Sequence, residues 1–373
     1  MANANLGAAR RAKQDEFYTQ WADIEREMNA YLDYDPNVFR GKTILLPCDD
    51  PEWSNFTKFF AHHFTEYGLK KVISTSYAPN SNSGGEFYAP TLFELEGANY
   101  VPEKSKAYGR MFTLTEDDVN GDGKIDIDDL RWEYLEGDGD FRSPEVTALR
   151  DEADMVITNP PFSLFLEFLP WVIEGGVQFS IIGNSNAVTS KELFSLLKGA
   201  EVWKGATGNS TDMVFRVPET IEIKESDRKK AEKLGYKGSY TRLGNSCWFT
   251  NIEHGRRHEP LQLMTMEENR AFSRRAAIRE DGYPEFDFYD AIEVGFTEAI
   301  PSDYEGAMGV PISFLDRFNP DQFEILDAND YRREGFNKVK PHGLIKDGDS
   351  AIDGKPKYAR LVIRHRNPVK KEA

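Results

Sequence analysis

Short apolar segments that alternate with helical patterns are the feature that most constrains the fold of this 373-residue chain. Four such segments are Thr43–Cys48, Lys71–Tyr77, Asp154–Thr158 and Gln178–Gly183. Helical spacing of apolar residues follows three of them, at Trp53–Tyr67, Phe162–Ile173 and Ser190–Leu197. Strands that alternate with helices predict right-handed crossovers and a parallel sheet covered by helices on both faces. The sequence therefore predicts an α/β fold in which ligands bind at the carboxyl ends of the strands.

One of these strands ends in a motif with chemical meaning, Asn159-Pro160-Pro161-Phe162. Two consecutive prolines stop the strand and stiffen the turn, which leaves Asn159 in the cleft. The amide oxygen of Asn159 and the carbonyl oxygen of Pro160 can each accept a hydrogen bond from an amine. Phe162 offers a face on which a planar ring can stack. Two acceptors and a stacking face suit the methylation of a planar amine, although the same four residues also fit a plain strand-ending turn.

The chain resembles the EcoRI-type family of adenine-specific DNA methyltransferases. The segments that carry the resemblance are Asp15–Thr19, Leu46–Pro51, Ser54–Phe56, Gly139–Ser143, Asn159–Phe162, Ile182–Asn184, Arg242–Asn245, Trp248–Thr250 and Met308–Pro311. Each segment is a weak signal by itself, but the ordered set spans nearly the whole chain. The resemblance implies a Rossmann-like methyltransferase sheet, S-adenosylmethionine (SAM) as cofactor, and methylation of adenine N6 in double-stranded DNA.

The resemblance also implies roles for individual residues. The methionine end of SAM would be lined by Phe17, Tyr18 and Thr19. The amine and ribose of SAM would lie near Pro47, Cys48, Asp49 and Asp50, and its adenine ring would meet Asp140 and Phe141. The catalytic residues would be Asn159, Pro160, Pro161 and Phe162, which would hold an adenine that has been flipped out of the duplex.

Two features depart from common SAM-dependent enzymes. The loop after the first strand lacks the usual Gly-x-Gly, and Lys71–Tyr77 does not end in the acidic residue that usually binds the ribose hydroxyls. The EcoRI-type family tolerates the first departure. The ribose ligand is therefore open, with Asp49 or Asp50 as candidates and a solvated turn carboxylate as the alternative for each.

A second motif lies in an acidic insertion at residues 114–136 and resembles the calcium loop of EF-hands and dockerin repeats. Oxygen ligands at the calcium-loop spacing would come from Asp118, Asn120, Asp122, Lys124, Asp126 and Asp129. Gly123 stands at the position where the loop requires glycine. The sequence thus predicts a structural Ca²⁺ ion. The alternatives are a solvated acidic insertion or a contact with DNA or a partner.

Charge is distributed unevenly along the chain. It has 46 Lys and Arg against 63 Asp and Glu, a net charge of −17. Residues 115–154 alone hold 15 acidic and 4 basic residues, so a basic surface elsewhere can bind nucleic acid. Candidate DNA contacts are Arg256-Arg257, Arg274-Arg275, Arg332-Arg333 and the basic C-terminal segment.

The sequence also predicts the domain organisation and the cellular location of the protein. Residues 1–210 are predicted to form the SAM-binding catalytic domain, and residues 211–373 the end of the sheet plus a smaller target-recognition region. Two cysteines, no apolar N-terminal segment and no run of about 18 apolar residues predict a cytoplasmic protein without a membrane span.

Several functional alternatives remain at this stage. The substrate could be RNA adenine or protein glutamine, or the chain could bind SAM or DNA without turnover. A calcium-regulated interaction protein is a third reading. The enzyme could work with a cognate restriction endonuclease, or alone as a solitary or phage modification enzyme. The oligomeric state and the recognition sequence are left open.

Overall fold

The computed structural model describes residues 17–51, 54–78, 100–207, 213–217, 223–243, 245–287, 290–329, 351–357 and 360–370. Four residues of the predicted motifs and helices, Asp15, Glu16, Trp53 and Gly244, lie outside this part of the chain, as does the predicted contact pair Arg332-Arg333. In the described part, no helix is long and apolar enough to cross a membrane.

The described elements are seventeen strands and nine α-helices. The strands are β1 Tyr18–Thr19, β2 Thr43–Leu46, β3 Lys71–Ser76, β4 Arg110–Leu114, β5 Arg131–Tyr134, β6 Met155–Thr158, β7 Gln178–Asn184, β8 Trp203–Lys204, β9 Val214–Arg216, β10 Tyr240–Arg242, β11 Ser246–Thr250, β12 Ala291–Glu293, β13 Ala307–Pro311, β14 Phe323–Asn329, β15 Ala351–Ile352, β16 Lys355–Pro356 and β17 Arg360–His365. The helices are α1 Trp21–Tyr34, α2 Asn55–His62, α3 Phe64–Tyr67, α4 Pro144–Glu152, α5 Phe165–Glu174, α6 Lys191–Lys198, α7 Glu225–Lys233, α8 Met266–Phe272 and α9 Ala276–Glu280.

The chain divides into two compact units. Unit 1 comprises residues 1–185 and 207–253, and unit 2 comprises residues 186–206 and 254–373. The chain therefore passes between the units more than once, whereas the sequence predicted a single boundary at residue 210. The difference arises because β9, β10 and β11, which follow residue 210, belong to the sheets of unit 1.

Unit 1 is built on a mixed sheet. Seven of its strands follow one another in the order β5-β4-β3-β2-β6-β7-β11. The central strands β3, β2, β6 and β7 are parallel, while β4, β5 and β11 run antiparallel to their neighbours. The four strands predicted from the apolar segments are thus confirmed, and the fold is the expected Rossmann-like α/β class.

The core of unit 1 follows from the apolar pattern. All four residues of β2 and of β6 are buried, as expected for parallel strands covered on both faces. Helix α1 buries Ile24, Met28 and Tyr31 against this core. Helix α5, which follows the Asn-Pro-Pro-Phe motif, packs closely on the sheet because a Cβ atom at Gly183 would fall 2.3 Å from the Phe165 ring.

A smaller sheet of unit 1 has the order β1-β9-β10, and both pairings are antiparallel. Unit 2 contains a four-stranded sheet in the order β12-β13-β17-β14 and the hairpin β15-β16.

Candidate active site

The site lies where the direction of strand succession reverses. Strand β2 has β3 on one side and β6 on the other, so the switch point falls between β2 and β6. Their register pairs Leu45 with Val156, and the hydroxyl of Thr158 donates to the carbonyl of Pro47 at 2.6 Å. The loop Pro47–Asp50 and the motif that begins at Asn159 therefore lie side by side, as predicted.

Asn159 presents a buried acceptor without a partner. Its Nδ2 donates to the backbone carbonyl of Phe17, and its Oδ1 is buried with no hydrogen-bond partner among the residues that the structure describes. Because a carbonyl only accepts, the amide nitrogen must face Phe17 and the oxygen must point elsewhere. A buried polar atom without a partner is costly, so it marks a place where a ligand can supply the missing donor.

Three aromatic rings pack on one another beside the Asn159 motif. Phe17 and Phe162 stack with centroids 5.4 Å apart at an interplanar angle of 29°. Phe215 of β9 meets them edge-on, with centroids at 5.9 Å from Phe17 and 6.1 Å from Phe162. Sequence reasoning missed Phe215. Its signal was the short apolar run Met213-Val214-Phe215, but only the pairing of β9 with β1 brings it to the motif.

Thr19 also carries an unpartnered polar atom. Within the described part of the chain its Oγ1 is buried without a hydrogen bond, while its carbonyl accepts from Nδ2 of Asn55 at 2.8 Å. The neighbouring Tyr18 pairs with Arg216 in the small sheet. A free hydroxyl that can donate or accept suits the polar methionine end of SAM, which was predicted to lie here. The residues present thus fit this cofactor.

The loop after β2 adopts a conformation that glycine usually supplies. Cys48 has φ +63°, in the left-handed region. The absence of Gly-x-Gly therefore changes the residue type but not the backbone geometry.

The two acids of this loop are already engaged. Oδ2 of Asp49 accepts from the amide of Thr57 at 3.0 Å and from its hydroxyl at 2.6 Å. Burial raises the pKa of Asp49 to about 6, against hydrogen bonds from Ser54 and Thr57 that lower it. Asp50 pairs with Arg110 at 2.6 Å. These contacts favour a role in holding the loop, and ribose binding by either acid remains a prediction.

Asp140 lies near the carboxyl end of β3 through its contact with Tyr77, whose hydroxyl donates to it at 3.3 Å. Burial acts to raise the pKa of Asp140, but hydrogen bonds and charge from Arg142 outweigh it, so the pKa is lowered. The carboxylate is thus held ionised, with Arg142 donating to both of its oxygens. Binding of an amino group by Asp140 remains a prediction. Gly139 has φ +84°, and a Cβ there would fall 2.4 Å from the carbonyl of Ser76, so the backbone passes close to β3.

Phe141 does not present its ring as predicted. It is 2% exposed and packs on Phe168 and Trp171 at centroid distances of 4.9 and 5.4 Å. In this arrangement the ring stabilises the packing of α5, which does not favour stacking on the cofactor's adenine.

The acidic insertion is not assembled as a metal site. Among the residues that the structure describes, no three His, Cys, Asp or Glu side chains converge on one point where an ion could bind. Asp118 instead accepts from the amides of Gly121 and Gly123, and Asp129 from those of Val119, Asn120 and Asp126. The side chains of Asn120, Asp122 and Asp126 accept from backbone amides as well, and Lys124 donates its amide to Asp122. The predicted calcium ion is thus not supported by the structure.

Comparisons with known proteins show the family to which this chain belongs. The family model described as adenine-specific methyltransferase EcoRI matches residues 5–366. The chain is 36% identical over 365 residues to Type II methyltransferase M.EcoRI of Escherichia coli, covering 98% of this chain and 97% of the relative. It is 35% identical over 365 residues to Type II methyltransferase M.MpnI of Mycoplasma pneumoniae, covering 97% of this chain and 98% of the relative. It is 32% identical over 364 residues to Type II methyltransferase M.MgeORF184P of Mycoplasma genitalium, covering 96% and 98%. The search of solved structures found no match.

Proposed function

Because this chain belongs to the EcoRI family of adenine-specific methyltransferases, we propose that the pocket at Asn159 methylates adenine N6 in double-stranded DNA. The chain is a SAM-dependent methyltransferase, and the three relatives compared above are Type II enzymes. The finer assignment concerns which residues hold the adenine, the cofactor and the DNA.

The unpartnered Oδ1 of Asn159 is the observation that carries the proposal. A flipped adenine brings an amine with two N–H donors, one of which replaces the missing hydrogen bond at this oxygen. The carbonyl of Pro160, the next residue along the chain, accepts the other. Holding both hydrogens directs the nitrogen lone pair out of the ring plane, so positioning rather than deprotonation makes the amine nucleophilic.

Phe17 and Phe162 orient this pocket. The carbonyl of Phe17 accepts a hydrogen bond from the amide nitrogen of Asn159, which orients the amide so that its oxygen can face the substrate. The Phe162 ring provides the stacking surface for the adenine. Phe17 now covers part of that ring, so the adenine either displaces Phe17 or stacks beside it.

The cofactor would be held at the adjoining strand ends. SAM, when bound, supplies an electrophilic methyl group. Thr19 would bind its amino-acid end, the backbone at Cys48 would run along it, and ionised Asp140 would accept from its adenine amino group. Transfer leaves a proton on the product amine, which passes to water without a base from the protein.

Methyl transfer to duplex DNA tests the proposal. Tritiated SAM and plasmid DNA are incubated with the wild type and with Asn159→Ala, and methylated adenines are mapped by sequencing. We expect label on N6-methyladenine and a loss of about a hundredfold or more in the variant, since it removes an interaction with the reacting amine. Asn37→Ala, an exposed asparagine in the turn after α1, is the matched control and should retain activity.

Two results would contradict the proposed function. Full activity of Asn159→Ala would remove the amide from the mechanism. Absence of label from duplex DNA, with SAM binding intact by calorimetry, would transfer the proposal to RNA or protein.

The relatives' description as Type II enzymes supports a further proposal. We propose that methylation by this chain protects its recognition sequence from a restriction endonuclease of the same specificity. Plasmid DNA methylated by the enzyme should resist an endonuclease that cuts at the mapped sequence. Complete cutting at methylated sites would contradict this role.

A further inference from the structure

Unit 2 exposes an aromatic side chain at the end of a helix. Phe272, the last residue of α8, is 75% exposed, more than any other large hydrophobic side chain that the structure describes. Leaving a phenylalanine in water forgoes most of the free energy that burying its ring would release. A side chain placed this way on a folded helix is a candidate for contact with a partner.

The backbone that presents Phe272 is firmly held. Helix α8 begins with a reciprocal capping box between Thr265 and Glu268. Next to Phe272, the amide of Ser273 donates to the carbonyl of Asn269 at 3.0 Å, and the guanidinium of Arg279 donates to the Ser273 carbonyl. The aromatic ring is therefore displayed by a well-braced turn, which lowers the entropy cost of binding through it.

The same turn is basic. Residues 269–279 contain four arginines and no acidic residue, in a chain whose net charge is −17. Arg275 is committed to Glu298 at 2.6 Å and lies over the Phe296 ring at 4.4 Å. Arg270 and Arg274 are exposed, and within the described part of the chain no carboxylate lies within ion-pair distance of either. Two uncommitted guanidinium groups thus flank Phe272 along the chain.

We propose that the α8–α9 turn, residues 270–275, is a DNA contact in which Phe272 stacks on a base and Arg270 and Arg274 bind phosphates. This inference rests on the proposed function. An aromatic face with flanking cations is complementary to nucleic acid, because bases offer a π-face and the backbone offers anions. A second copy of the chain would need an acidic, apolar counterpart to the same turn.

Binding to a fluorescein-labelled duplex of about 25 base pairs, carrying the methylation site mapped above, tests the inference. Alanine substitution of a stacking aromatic typically weakens binding by 1–3 kcal/mol per base, so Phe272→Ala should weaken it by about tenfold or more. Phe272→Trp keeps a flat aromatic face and should bind within about threefold of the wild type. Tyr34→Ala is the matched control, because Tyr34 is 48% exposed between Asp33 and Asp35 at the end of α1 and should not contact DNA.

Salt dependence separates the two kinds of contact. Arg270→Ala and Arg274→Ala should each reduce the slope of log affinity against log salt by about 0.9, as expected for one lost phosphate contact. Phe272→Ala should leave the slope unchanged. SAM binding, measured by calorimetry, should be the same in all variants because the substituted side chains are exposed.

Two outcomes would overturn the inference. Phe272→Ala that binds the duplex within about twofold of the wild type removes the stacking contact. A lower oligomeric mass of Phe272→Ala by sedimentation would assign the turn to self-association. Failure of the wild type itself to bind or methylate DNA would instead contradict the proposed function. The failure of the α8–α9 contact and the failure of the proposed function are therefore distinguishable.

Discussion

Two regions of unit 1 carry sequence patterns typical of ligand binding, but they differ in how their polar side chains are hydrogen-bonded. At the switch point between β2 and β6, the buried side-chain oxygen of Asn159 has no partner in the described ranges of the chain. In the acidic loop, the carboxylates of Asp118 and Asp129 accept hydrogen bonds through both oxygens from the loop's own backbone. The unmade hydrogen bond at Asn159 therefore supports a ligand site there, whereas residue types alone suggested a site in both regions.

Removing one contact from each region tests the contrast between them most directly. Phe162→Ala removes the stacking surface for the adenine and should lower methylation of DNA by about 10- to 100-fold, since base stacking is worth about 1–3 kcal/mol. Asp118→Ala removes a loop acceptor and should leave the methylation rate unchanged within about twofold, because surface loop changes are small. Initial rates with tritiated SAM measure both.

Phe162→Tyr serves as the control for the first variant, because it retains the aromatic face and should remain active. A comparable loss in Asp118→Ala would mean that the acidic loop contributes to catalysis and that the contrast is false.

Buried and exposed acids of the two regions should also differ in their effect on stability. The pKa of Asp49 is about 6, raised by burial from its ordinary value of 3.8. A raised carboxyl pKa favours the protonated folded form, so its contribution is present below pH 4 and is lost as the pH rises through 6. Relative to Asp49→Asn, the wild type should lose up to about 3 kcal/mol of unfolding free energy between pH 4 and pH 7.

Urea unfolding at several pH values measures this difference. Asparagine is a suitable replacement because both hydrogen bonds from Thr57 end on one oxygen of Asp49. Asp117→Asn, at an exposed pair with Arg131, is the control and should show no such change. Parallel pH curves for the wild type and Asp49→Asn would contradict the raised pKa.

Some features of unit 1 could be predicted from the sequence and others could not. The difference is whether a feature depends on nearby residues or on partners far along the chain. Burial on both faces makes β2, β3, β6 and β7 continuous apolar segments, so the strands and the placement of Asn159 could be predicted locally. Phe215 could not, because its position depends on the antiparallel pairing of β9 with β1, almost two hundred residues away along the chain. The packed ring of Phe141 and the engaged carboxylate of Asp49 were missed because residue type does not reveal which partners a folded chain supplies.

A smaller effect should follow from the strained residue beside Asp49. Cys48 pays a conformational penalty at φ +63° that glycine does not. Cys48→Gly should therefore change the unfolding free energy by less than about 1 kcal/mol, because relief of strain is offset by the greater chain entropy of glycine. Cys48→Val should lower it by about 1–2 kcal/mol, since a β-branched side chain is disfavoured in this region. Equal stability of the two variants would show that the left-handed conformation is unstrained.

The smallest effect is expected from calcium, and it decides whether the contrast between the regions holds. Since Asp118 and Asp129 use both carboxylate oxygens within the loop, an ion must compete with hydrogen bonds that already fold it. The backbone hydrogen bond from the Asp126 amide, together with those from Val119 and Asn120, also lowers the pKa of Asp129, which favours its ionised form. We therefore expect the melting temperature to be unchanged by calcium at about 1 mM or by a chelator, because only a ligand that binds the folded state stabilises it. A rise in melting temperature that Asp118→Ala abolishes would restore the calcium site predicted from the sequence, and would show that a loop satisfied by its own backbone can still rearrange around an ion.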